Sequence, residues 1–419
     1  MYRVTPQIHI EAPDSFALPS RYLRLRGWCF LPGTPLVRMK LVLPDRELFG
    51  RARIFRPDVR AVFPTAPDDF SGFELWALIP SGQHQAELQF MDSDGAWHTA
   101  LKPILSAPRA WRPAWSSLSR PRDLVEFQLG ARASHAPRSI VPEQFPKPRT
   151  PAPARPKIAV VTPSFNQRPY LATTLDSVLS QAGVDLTYLV QDGGSTDGSV
   201  ELLQQYTGRL TAWESAPDHG QAEAVAKGFA CTTGGPDDVM AWLNSDDVYL
   251  PGALAFVADY FARHPNVDVV YGQRVLIDEH TQEVGRWFLP PHDDDLLRLN
   301  DYVPQEAMFW RRRLWDRVGG LNPSFKFAMD WDLLLRFQAA GARIRRVPYF
   351  LACFRIHDAQ KTSAQMESLG HQEIDTLRTQ TQGRLLTHAE VENHPRLLSY
   401  LRRSAWQEFL WRRLGIRGR

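Results

Sequence analysis

Residues 241–254, AWLNSDDVYLPGAL, hold the most pointed chemistry in this 419-residue chain: an apolar run ends on two adjacent carboxylates, Asp246 and Asp247, and then resumes. Like charges side by side at the edge of a core repel and resist desolvation unless a cation lies with them. Taken alone, the pair also reads as a solvated turn capping the next helix. Two further acidic stretches bear on the choice: QDGGSTDGS at 191–199 and ESAPDHGQ at 214–221.

The elements around these stretches place most of them on one edge. KIAVVTPS (157–164) is a β-branched run, followed by a helical pattern in PYLATTLDSVLSQ with Leu171, Leu175 and Val178 in register. TYLVQD, LTAWES, DVMAWLN and VDVVYG read as further strands. DGSVELLQQY (Asp197 as its N-cap), QAEAVAKGFA and PGALAFVADYFARHP read as the helices between them. Strand and helix alternating over short connections predict a mostly parallel, Rossmann-like α/β sheet flanked by helices. In such sheets ligands bind beyond the carboxyl ends of the strands. Those ends read PSFN, QDGGSTDGS, ESAPDHGQ and NSDD, so polar and acidic residues collect where a crevice belongs.

An acidic edge does not cradle bare phosphate. The glycine-rich turn offers backbone N–H groups, but neither the GxxxxGK[ST] nor the GxGxxG pattern is present. Carboxylates hold a diphosphate through a divalent ion, and Mn²⁺ or Mg²⁺ favours oxygen ligands of this kind. Asp246 and Asp247 are thus the expected metal pair, with a diphosphate on the far side of the ion.

These residues resemble the inverting family-2 glycosyltransferases of the GT-A fold. VTPSFNQ is similar to the family's first-strand motif, QDGGSTDGS to its nucleoside-binding loop, LNSDD to its metal-binding DxD region, and GGLNPSFKFAMDWDLLLRF to the segment ending in its ED motif. The resemblance covers 157 to about 362, with the motifs in the family's order. It implies donor-binding roles for Pro163, Phe165, Asp192, Asp218 and Asp246, with Asp192 on the nucleobase. The other readings are a core position for Phe165 and a helix cap for Asp218. Which of Asp246 and Asp247 holds the metal stays open, because Asn244 aligns with the first place of DxD. Asp330 matches the catalytic base, although Met329 stands where the family has Glu, and Asp332 is its nearest rival. Arg355 and His357, in FRIHDAQKTS, resemble a segment that contacts or closes over the diphosphate.

The rest of the chain is read from pattern. Residues 1–112 carry strand-like runs with turn signals and predict an antiparallel β-sandwich-like domain. No useful helix is expected there, and RPDV (56–59) reads as a bulge or turn. Trp28, Phe73, Trp76 and Trp97 read as core or as a sugar-stacking platform. Residues 113–156 are proline-rich and predict a semi-rigid linker to the GT-A domain at 157–362. The segment 363–419 ends in a basic amphipathic helix with Leu398, Leu401, Ala405 and Phe409 on one side, suited to packing on the catalytic domain or lying on an anionic membrane.

Bulk properties agree with an enzyme of this kind. A net charge of +3 does not call for nucleic acid, and three scattered cysteines indicate neither a disulfide framework nor a zinc site. With no long apolar run, the expected location is cytoplasmic, with room for peripheral contact at the inner face of the cell membrane. The expected activity is metal-assisted transfer of a sugar from a nucleotide-diphosphate sugar, of the UDP type, to a hydroxyl on a glycan or lipid-linked saccharide. Two rivals are a non-catalytic carbohydrate-binding protein and a nucleotide-sugar pyrophosphorylase. The pyrophosphorylase needs a basic glycine-rich loop that TPSFNQRPY does not supply.

Overall fold

The computed structural model describes residues 6–13, 15–18, 22–54, 56–107, 131–146, 154–357, 369–387, 390–391 and 393–414. Trp76 lies in a strand but its side chain is outside that description, as are residues 113–130 and 147–153 of the expected linker and 358–362 at the end of the expected GT-A domain. The chain forms two compact units, residues 1–121 with 134–136, and residues 122–133 with 137–419.

In the first unit, alternating apolar residues build a seven-stranded antiparallel sheet and a separate two-stranded ribbon. Leu23, Leu25, Met39, Leu41, Phe73, Leu75, Leu88 and Phe90 fill one core. Two expectations are corrected. RPDV opens a short helix, Pro57–Val62, because Pro57 suits the first helical turn. Of the aromatics, Phe73 is core, whereas Trp28 joins His9, Phe30 and Phe63 in a separate ring cluster.

The second unit has the expected α/β architecture. Ile158–Ser164 lies parallel to both Leu186–Asp192 and Val239–Trp242, and Leu186–Asp192 is parallel to Ala212–Ser215. Met308–Arg311 then joins antiparallel and links this half to Val269–Ile277 and Glu283–Phe288. Every residue of Ile158–Ser164 is buried. Ile158 and Val160 face a core with Leu171, Leu175 and Leu254, while Val161 faces another with Val225, Phe229 and Trp242. Helices therefore cover both faces, as a central parallel sheet requires. The helix Gln221–Ala230 lies so close that a Cβ on Gly228 would sit 2.5 Å from Val161 Cγ1.

Part of the expected linker is instead bound to this unit. Ala131–Arg138 is an edge strand beside Glu283–Phe288. Arg138 Nη2 donates to Glu283 Oε1 at 2.6 Å, Phe350 N donates to Glu143 Oε2 at 3.1 Å, and Phe145 stacks on Phe256 at 5.0 Å. Proline removes backbone donors, but these side chains replace them as anchors.

The C-terminal helix Pro395–Leu414 packs on the catalytic unit through Leu397, Tyr400, Ser404 and Gln407; of the expected stripe, Leu401 packs against the same core, Leu398 and Ala405 are half-buried, and the Phe409 side chain lies outside the described residues. Ser404 Oγ bonds the Phe288 carbonyl at 2.5 Å, and Arg396 and Arg403 pair with Asp293 at 3.4 and 3.5 Å. Its described arginines are thus partly used within the protein. Among the described residues, no helix is long and apolar enough to cross a membrane.

Candidate active site

The strand ends converge through register. Ser164 is opposite Asp192, and Asp192 is opposite Ser215, so one row crosses three strands at their carboxyl ends. Asp192, 2% exposed, takes hydrogen bonds on Oδ2 from Gly194 N, Ser195 N and Ser215 Oγ at 3.1, 2.8 and 2.7 Å. Ser195 Oγ donates to Oδ1 at 2.6 Å. The carboxylate thereby ties down its own glycine-rich loop. A buried acid at this strand end has a purpose that the sequence alone did not reveal.

The first-strand loop is bound to the same turn. Asn166, at φ 52°, occupies the left-handed region that Asn tolerates; its N donates to Ser195 Oγ at 2.7 Å and its Oδ1 accepts from Thr196 N at 2.9 Å. Gly193 marks where these pieces meet: a Cβ there would lie 3.1 Å from Asp218 Oδ2 and 3.3 Å from Phe165 Cδ2. Phe165 is 59% exposed, so it is a surface ring at this edge and not a core residue. Asp218 Oδ1 accepts from Gly220 N at 2.8 Å, ahead of the helix Gln221–Ala230. Two readings are corrected here. Pro163 is buried within its strand opposite Gln191, not on the open edge. The helix Ser199–Tyr206 starts after Gly198; Asp197 precedes the cap and binds Ser199 N at 3.0 Å.

Asp246 and Asp247 divide their tasks. Asp247 is buried and accepts the Arg355 N–H at 3.0 Å on Oδ1; burial first, then the Asp246 and Glu306 carboxylates, push its carboxyl well above the usual range. Asp246 Oδ2 lies 2.9 Å from His357 Nε2, and that ring packs against Tyr170 at 4.6 Å. Arg355 corrects the diphosphate reading. It is 0% exposed, its Nε donates to the Asp246 carbonyl at 2.8 Å, and its Nη1 donates to the Asp278 carbonyl and Thr281 Oγ1, each at 2.9 Å. Its guanidinium faces inward and fixes the backbone of the acid pair.

A crowded acidic pair with an adjacent imidazole fits a hard divalent ion. Among the described residues no three His, Cys, Asp or Glu side chains gather as a complete cage. Asp246 and His357 would hold such an ion through a carboxylate oxygen and an imidazole nitrogen.

Asp330 and Asp332 separate by environment. Asp332 is buried and bonded to Arg336, with Nε and Nη2 at 2.8 and 2.7 Å. Asp330, half-buried on the first turn of Met329–Ala339, accepts from Trp331 N at 3.0 Å. It lies within electrostatic reach of Asp301 and Glu306. Burial, then the Asp330 charge, drives the Asp301 carboxyl well upward. Burial also raises Glu306, against the opposing pull of Arg274, whose Nη2 donates to Glu306 Oε2 at 2.9 Å. Arg274 is sandwiched between Trp287 and Phe354 at 4.5 and 4.6 Å. The sequence pattern missed Arg274, Asp301 and Glu306, since no local motif joins positions that meet only through the sheet.

Residues 159–320 match the profile of Glycosyl transferase family 2. The chain carries a family 2 glycosyltransferase domain. The expected enzyme class, a glycosyltransferase, is that of the family. The O-antigen biosynthesis protein RfbC of Myxococcus xanthus is 30% identical over 198 residues, covering 46% of this chain and 15% of that protein. A PGL/p-HBAD biosynthesis glycosyltransferase of Mycobacterium tuberculosis is 27% identical over 197 residues, covering 46% of this chain and 74% of that protein. Among solved structures, S. aureus TarS 1-349 in complex with UDP-GlcNAc is 16% identical with a TM-score of 0.46, covering 60% of this chain and 75% of that one.

Proposed function

We propose that this chain is an inverting glycosyltransferase that moves a sugar from a nucleotide-diphosphate sugar, of the UDP type, to a hydroxyl on a glycan or lipid-linked saccharide. The meeting of Phe165, Asp218 and the Asp192-tied turn at Gly193, on the sheet edge that also ends in Asp246, carries this reading. Phe165 offers a ring face to the base, and Asp192 keeps unused acceptor capacity on Oδ1 beside it.

Asp246 and His357 would hold Mn²⁺ or Mg²⁺, which when bound neutralises charge on the departing diphosphate. Arg355 keeps the Asp246 backbone in place. Asp330 takes the proton from the acceptor hydroxyl as its oxygen bonds to the anomeric carbon and the bond to diphosphate breaks. Burial and the nearby Asp330 carboxylate both favour the protonated form of Asp301. A cavity of about 470 Å³ whose lining includes Asn322, Ser324, Gln372, Glu373, Thr376 and Gln380 borders the loop before Asp330, and its amides and hydroxyls suit a saccharide acceptor.

The test is a screen of nucleotide sugars for slow donor hydrolysis, with and without Mn²⁺, beside calorimetry with UDP. Ion-dependent hydrolysis of one donor class is expected. Absence of ion-dependent binding of any nucleoside diphosphate overturns the proposal.

A further inference from the structure

The helix that carries Asp330 has no side-chain cap of its own. Ala328 occupies the N-cap position of Met329–Ala339 and has no group to offer the N–H donors entering the first turn. What fixes the chain on its way into that turn comes from elsewhere. Glu373, on His371–Gln382 and 6% exposed, accepts from Lys326 N on Oε1 at 2.9 Å and from Phe327 N and Ala328 N on Oε2 at 2.8 and 2.9 Å.

The same helix also grips the second acidic segment. Arg378 Nε donates to the Leu299 carbonyl at 3.0 Å, and its Nη2 donates to Asn300 Oδ1 at 3.2 Å, one residue before Asp301. Ile374 and Leu377 seat the helix in the catalytic core. One rigid element, far along the chain, therefore fixes both the strand-to-helix loop ahead of Asp330 and the turn that presents Asp301.

We propose that Glu373 is a positioning residue for Asp330, holding the loop 326–328 so that the base meets the acceptor at reacting distance. The proposal rests on Asp330 being the base. Charge-assisted bonds to three successive N–H groups fix the loop more tightly than a single local cap. Displacement of a catalytic group by an ångström costs on the order of 100-fold in rate. Glu373 spends its hydrogen bonds on 326–328 and not, among the described residues, on the donor edge at Gly193 and Asp246, so donor affinity is expected to stay.

The experiment uses the full chain and hydrolysis of the UDP-sugar selected by the screen, with Mn²⁺, comparing Glu373→Ala, Glu373→Gln and Asp330→Asn. Glu373→Ala should lower kcat by about tenfold or more while donor KM stays within about twofold. Glu373→Gln keeps one acceptor oxygen and should recover part of the loss. If Glu373→Ala does not fold, the near-isosteric Gln variant carries the comparison. Unchanged kcat in both Glu373 variants overturns the proposal, as does a loss of kcat matched by loss of UDP affinity, which marks a merely structural role. If Asp330→Asn keeps wild-type hydrolysis, the base assignment itself fails; if it is inactive while the Glu373 variants are not, only the positioning role fails.

Discussion

His357 Nε2 lies 2.9 Å from Asp246 Oδ2 across 111 positions of sequence, joining the fourth-strand acids to the residues that follow Ile344–Arg355. If the two share an ion, His357→Ala should weaken Mn²⁺-dependent UDP binding by about tenfold or more, the scale seen even for outer partners of metal ligands. Calorimetry with and without Mn²⁺ reads the effect. Equal UDP affinity in variant and wild type would reduce the contact to an ordinary ion pair.

The contrast between Asp330 and Asp332 gives a two-way test. Asp330→Asn should cut turnover by roughly 100- to 10,000-fold and leave UDP affinity unchanged. Asp332→Asn should act on stability, by about 1–3 kcal/mol, because it weakens the bond to Arg336, which also holds the Val318 and Gly320 carbonyls. Kinetics and denaturant unfolding on both proteins decide it; the reverse pattern would exchange their roles.

Asp301 predicts a pH signature. Its folded-state value is raised, so its contribution to stability is complete below the unfolded value and is lost as pH rises through the folded one. Asp301→Asn removes that ionisation and keeps an acceptor for Val303 N. Relative to wild type, its melting temperature should therefore improve as pH rises above the ordinary carboxylate range. A difference that is flat with pH, or that moves the other way, contradicts the burial argument.

Gly193→Ala probes the donor edge without touching a charge. The added methyl would press on the Asp218 carboxylate and the Phe165 ring. Overpacking of this kind costs about 1–3 kcal/mol, here felt as UDP affinity lower by about tenfold. A titration showing wild-type affinity would separate Phe165 and Asp218 from nucleoside binding.

The sequence by itself determined the alternation of strands and helices, and with it the acidic edge. Burial pattern and chain direction are local properties, and Asp192, Asp218 and Asp246 follow runs whose type is legible over a few residues. It also located the amphipathic C-terminal helix and, in Leu401, part of its packed face, but not the most deeply buried positions. Leu397, Tyr400, Ser404 and Gln407 form the buried stripe because Tyr302 and the Phe288 carbonyl await them, and neither is visible from the helix.

Tertiary structure alone decided which polar side chains face the crevice and which support it. Arg355 turns inward because the carbonyls of Asp246 and Asp278 and the hydroxyl of Thr281 meet its guanidinium there. Asp332 is taken by Arg336, while the loop before Asp330 is held by Glu373, 45 residues beyond Ala328. Arg274 reaches Glu306 only because Val269–Ile277 passes beside the turn that precedes Met308–Arg311. A carboxylate's role is set by what surrounds it in space, and those partners come from distant parts of the chain with no local pattern to announce them.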